Sequence, residues 1–137
     1  MITEAVSFWV AGTPTPQGSL RAFMVGSRPI VTSTNRQRLG DWRTAIATEA
    51  RARFSALLVG PVEVQAVFYL PRPASRRKRD QHPDRKPDLD KLARAVLDAL
   101  TSVAFKDDAQ VTRLDCEKRY AAGNEQPGVR VRVTLAT

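Results

Sequence analysis

The sequence predicts an α+β fold, a mixed β-sheet with two main helices packed on it. Three features carry that expectation. Residues 5–11, 62–70 and 129–135 alternate in side-chain character with the period of two that turns one face of a strand toward a core. The segments after Asn35 and after Pro87 repeat apolar side chains at the spacing of a helix buried along one stripe. The elements come in the order β, short β pieces, α, β, α, β, β without internal repeat, which fits helices gathered on one layer. A chain of 137 residues has the length of one domain, spanning 1–137.

In the first strand Val6, Phe8 and Val10 face one way, and Ala5, Ser7 and Trp9 the other. The GTPTPQGSLR segment has the Pro and Gly content of a loop. Short strands are expected at Ala22–Val25 and Pro29–Thr32. Asn35 is placed as an N-cap. Leu39, Trp42, Ile46, Ala50, Phe54 and Leu57 then recur at helical spacing, so the first helix is predicted to run to near Leu58, before Gly60-Pro61. Val62, Val64, Ala66, Phe68 and Leu70 define the buried face of the next strand. The second helix is predicted over 88–103, with Leu89, Leu92, Ala93, Val96, Leu100 and Val103 as its stripe. Strands follow at 110–120 and 129–135, joined as a hairpin through AAGNEQPG. Trp42 and Cys116 are expected in the core.

The formal net charge is +8. An excess of that size serves a polyanion, most commonly nucleic acid. Cys116 is the sole cysteine, which excludes an intrachain disulfide and a thiolate-rich zinc site. That usage fits a reducing, cytoplasmic compartment. The opening MITEAVSFWVAG lacks the basic region of a secretory signal, and no apolar run approaches the roughly 18 residues of a membrane span. No membrane partner is expected.

Residues 71–87, PRPASRRKRDQHPDRKP, have almost no apolar side chains. They are read as a basic, mobile loop that meets DNA through Arg72, Arg76, Arg77, Lys78, Arg79, Arg85 and Lys86, with Lys91 just beyond. His82 is read as a solvated side chain. In the earlier loop, Gln17, Ser19 and Arg21 are placed either against substrate phosphate or in a plain connection.

Two acidic pairs flank the second helix. Asp88 and Asp90 open it, where aspartate is favoured both as a cap and by the helix dipole. Asp107 and Asp108 lie where the chain turns into the next strand, a position that an exposed turn explains equally well. Together they point further. A carboxylate cluster repels DNA phosphate unless a cation lies between them. Mg²⁺ takes oxygen ligands from a few carboxylates and completes its shell with water and phosphate oxygens. Such an ion activates water and neutralises charge on a cleaved phosphodiester. Asp98 is read as an ion-pair partner of Arg94.

The segment KPDLDKLARAVLDALTSVAFKDDAQV (86–111) resembles the signature of the RusA family of Holliday junction resolvases. It shows an Asp-x-Asp opening a helix, then "DAL", then Asp-Asp-x-Gln-Val ending in Asp107, Asp108, Gln110 and Val111. The loop GTPTPQGSLR resembles the family more weakly. The resemblance implies a RusA-like domain and a homodimeric, Mg²⁺-dependent endonuclease, with Mn²⁺ able to substitute, acting on branched DNA such as a four-way junction. It implies Asp88, Asp90 and Asp108 as metal-binding carboxylates, with Asp107 a lesser neighbour. The family is frequent in phages. Two positions depart from its pattern: Lys91 stands where Asn is usual, and Arg94 where a catalytic Lys is usual. Arg94 is expected to act electrostatically, since its pKa is too high to shuttle a proton. Two other readings compete: a nuclease of the same fold that prefers flaps or other branched DNA, and a non-catalytic basic DNA-binding module whose aspartates are only caps.

Overall fold

The computed structural model describes residues 5–18, 20–33, 36–77 and 80–136. Strand β1 (Ala5–Ala11) turns Phe8 and Val10 inward and leaves Trp9 on the opposite face, as its alternation predicts. After the 12–18 loop, β2 (Leu20–Val25) and β3 (Arg28–Ser33) pair as an antiparallel hairpin in a two-stranded sheet of their own. Helix α1 (Arg36–Arg51) buries Leu39, Trp42, Ile46 and Ala50 along one stripe. Strand β4 (Val62–Leu70) buries all five side chains of its expected inner face. Helix α2 (Leu89–Leu100), strand β5 (Val111–Tyr120) and strand β6 (Gly128–Leu135) complete the chain.

The main sheet runs β1-β6-β4-β5. Strand β6 is antiparallel to both its neighbours, and β4 is parallel to β5. A parallel pair needs a crossover, and α2 provides it. Side chains of both helices share one core with Phe8, Phe68, Phe105 and Val131. Each fully buried large side chain contributes about 1.5–3 kcal/mol, so the stripe of Leu92, Val96 and Leu100 is enough to hold α2 in place. No described helix is long and apolar enough to cross a membrane.

On the sheet's other face Trp9 and Tyr69 meet edge-on, with ring centroids 5.7 Å apart. Arg130 lies over Trp9 and Arg119 over Tyr69. The neighbouring strand leaves room for this only because residue 128 is glycine. A Cβ there would stand 2.3 Å from the Val10 carbonyl oxygen and 2.5 Å from the Trp9 ring.

Three expectations need correction. Strands β5 and β6 do not form a hairpin; β4 lies between them. Strand β5 is claimed by parallel pairing with β4, and β6 inserts between β1 and β4. Helix α1 stops at Arg51, not near Leu58. Beyond it, the Leu58 N–H donates to the Ala104 carbonyl at 2.8 Å and Leu58 bridges Phe105, so tertiary pairing replaces further helical turns. Helix α2 likewise ends at Leu100, where Ser102 takes φ 71° and the chain reverses. Asn35 lies outside the described residues, as do Ser19, Lys78 and Arg79. Cys116 is half-buried against the core, at the edge strand of the sheet.

Candidate active site

Asp88 stands at the N-cap of α2 in extended conformation, but its side chain makes no capping hydrogen bond. Its carboxylate lies 3.8 Å from Lys91 Nζ. Asp90 occupies the first turn, exposed, and has no hydrogen bond or ion pair among the described residues. Two anchors fix this segment from outside. The Lys118 ammonium on β5 donates to the carbonyls of Arg85 and Pro87 at 2.7 and 2.8 Å. The Gln17 N–H donates to the Lys91 carbonyl at 3.0 Å and ties the 12–18 loop to the first turn of α2.

The second pair sits on a short 3-10 turn, Asp108–Gln110. Asp107 is its N-cap and accepts from the Ala109 N–H at 2.8 Å, while Gln110 answers in a reciprocal capping box. The Gln110 amide oxygen accepts from the N–H groups of Lys106 and Asp107, and its NH₂ donates to the carbonyls of Leu58 and Gly60. Asp107 is thus consumed by structure. Asp108 points elsewhere, toward Arg94, whose Nη1 donates to Oδ2 at 2.8 Å. The same guanidinium lies 3.9 Å from Asp98. Arg94 therefore joins α2 to the 3-10 turn as well as pairing within its own helix.

Asp88 and Asp90 share one end of α2, and Asp108 is brought to the helix through Arg94. Among the described residues, no three acidic, histidine or cysteine side chains converge closely enough to hold one metal ion. The donor chemistry still suits a hard cation. Mg²⁺ commonly uses only one or two carboxylates and fills its octahedron with water and phosphate oxygens. Asp88 and Asp90 are carboxylates that no cap has engaged.

The basic loop divides into two groups. Arg72 and Arg76 turn inward, with their guanidinium carbons 5.0 and 5.9 Å from the ring centroid of buried Tyr120. Arg72 also donates to the carbonyls of Arg77 and Asp80. Arg76 pairs with Asp84, and its side chain is only 13% exposed. Arg77, Arg85 and Lys86 remain exposed, although Arg77 lies 3.8 Å from Asp80. His82 is exposed. Sequence reasoning passed over three arginines of α1. Arg38 lines a pocket with Lys86, Asp88 and Lys91. Arg43 and Arg51 line a groove beside Asp98. Arg43 falls four residues after buried Leu39, at the flank of the apolar stripe, and a cation at that flank was the available signal.

Residues 11–134 match the family described as endodeoxyribonuclease RusA. The chain belongs to the RusA family. The match runs from the end of β1 to β6, so it takes in both acidic pairs, Arg94 and the basic segment, and the mixed sheet with two helices is consistent with a RusA fold. The chain is also similar to the uncharacterized protein YqaN of Bacillus subtilis (strain 168), with 27% identity over 140 residues, covering 95% of this chain and 96% of that protein.

Proposed function

We propose that this RusA-family chain is a Mg²⁺-dependent endodeoxyribonuclease that resolves four-way DNA junctions by paired nicks. The observation that carries this reading is the set of carboxylates left outside the capping structure, Asp88 and Asp90 uncapped and Asp108 held, among the described residues, by Arg94. Asp88 and Asp90 would hold the ion with water and phosphate oxygens, and Asp108 would join them once Arg94 turns from it to phosphate; the ion supplies activated water and charge neutralisation when bound. Arg94 stands one helical turn beyond Asp90, where a guanidinium can turn from Asp108 to a phosphate and stabilise its developing charge. Arg77, Arg85, Lys86 and Lys91 supply cations for the DNA backbone beside these groups, with Lys78 and Arg79 of the same run. Arg72 and Arg76 support the loop from within. Two symmetric nicks call for a twofold assembly, so a homodimer completes the proposal.

The test is cleavage of end-labelled four-way junction, flap and linear duplex with Mg²⁺, with Mn²⁺, and with EDTA. Metal-dependent paired cuts in the junction are expected. Preference for the flap would place the chain among nucleases of other branched DNA. Binding without cutting in either metal would leave a basic DNA-binding module. Sedimentation at micromolar concentration should show twice the 15.2 kDa chain mass.

A further inference from the structure

The loop after β1 and the first turn of α2 enclose a pocket of about 360 Å³ that shares Asp88 with the candidate active site. Arg38, Lys86 and Lys91 place three cationic side chains around it, and Pro16 and Pro87 give it flat apolar walls. Gln17 lines it as well. The Gln17 amide oxygen is closed off from solvent and accepts no hydrogen bond among the described residues, although the backbone of the same residue is bonded to Lys91. A buried amide acceptor left without a donor is unfavourable, and such a group is met by an ordered water, an ion or a ligand. Rotation about the last torsion of a glutamine is broad, so the amide can present its oxygen to a group entering the pocket.

We propose that this pocket holds the nucleotide next to the cleaved phosphodiester, and that Gln17 selects its base. The inference rests on the nuclease reading above and names a specificity residue for it. Each part of a nucleotide has a counterpart here: cations for the phosphate, proline faces for the sugar and base, and an unpaired acceptor for a base N–H. Cytosine, adenine and guanine each carry an exocyclic amine that can donate to Gln17. Thymine carries none and offers only its ring N–H. Cutting is therefore biased toward positions where an amino-bearing base enters the pocket.

The experiment uses four-way junctions with a mobile homologous core, in which many phosphates compete in one reaction. The readout is the ratio of cuts among sites, which does not depend on the overall rate. Wild type is expected to disfavour thymine at one fixed position relative to the cut. Gln17→Leu, which keeps the bulk and loses the acceptor, should flatten that ratio by about 3–10-fold, the effect of one neutral hydrogen bond. Gln17→Glu keeps an acceptor and should retain the bias even if it cuts slowly. A wild type that cuts all positions evenly overturns the assignment, as does a Gln17→Leu variant with unchanged site ratios; in both cases the nuclease reading stands. A wild type that cuts no DNA with either metal overturns both.

Discussion

Asp88 and Asp107 occupy the same formal position, the N-cap of a helical segment, and the fold treats them differently. Asp107 closes a capping box with Gln110 and holds the 3-10 turn together. Asp88 has the backbone angles of a cap but makes no capping bond. The partner of each pair repeats the contrast in another form. Asp90 stands alone among the described residues, and Asp108 is met by a cation from another element. An acid that the backbone uses is fixed by local geometry. An acid that the backbone leaves aside is available for a cation. On the proposed reading, the difference separates stability from chemistry between two aspartates nineteen positions apart.

The strongest way to break this comparison is to remove charge. Asp88→Asn, Asp90→Asn and Asp108→Asn should each slow junction cleavage by at least about 10²–10³-fold, as loss of a group acting on the reacting centre does. Thermal stability should barely change and junction binding should hold or tighten, because repulsion of phosphate falls. An Asp108→Asn enzyme that cuts at the wild-type rate would remove Asp108 from the site. Arg94→Ala should slow single-turnover cleavage by roughly 10²-fold with little change in affinity, and Arg94→Lys should recover much of the rate. A wild-type rate for Arg94→Ala would leave only its ion pairs with Asp98 and Asp108.

Asp107→Ala sharpens the contrast from the other side. Loss of its cap should lower stability by about 1 kcal/mol, or roughly 4 °C in Tm for a domain of this size, while cleavage per folded molecule is retained. Cys116 makes the smallest prediction. Burial, and then the charge of Asp115, push its thiol up from 9.0 to about 11. The folded chain therefore keeps the proton after the unfolded chain has released it. This contribution to stability is whole below pH 9 and is lost as pH rises from 9 toward 11. At pH 8 iodoacetamide should modify the folded chain about 100-fold more slowly than the denatured one, since the thiolate is the nucleophile. Equal rates would place the thiol in open water.

Local pattern made most of this molecule legible. The inner faces of β1 and β4, the stripe of α2 and both acidic pairs depend on neighbours a few residues away, and each is where its spacing predicts. What escaped depends on distant partners. No property of β5 or β6 announces that β4 separates them. The end of α1 is set by a bridge from Leu58 to Phe105. Arg72 and Arg76 read as two more cations of a basic run until Tyr120, far along the chain, supplies the surface on which they lie.

Gln110 shows how a motif can carry two messages. Its oxygen receives two backbone N–H groups and its nitrogen serves two carbonyls about fifty positions earlier, so the side chain is saturated. Glutamate lacks the donors, and an apolar residue lacks everything. The letter is thus a mark of foldedness and not of catalysis. A descendant chain could lose Asp108, keep Gln110, and persist as a well-folded protein in which the proposed metal site is incomplete. Any search that scores the glutamine as heavily as the aspartate will count such a silent copy as an enzyme.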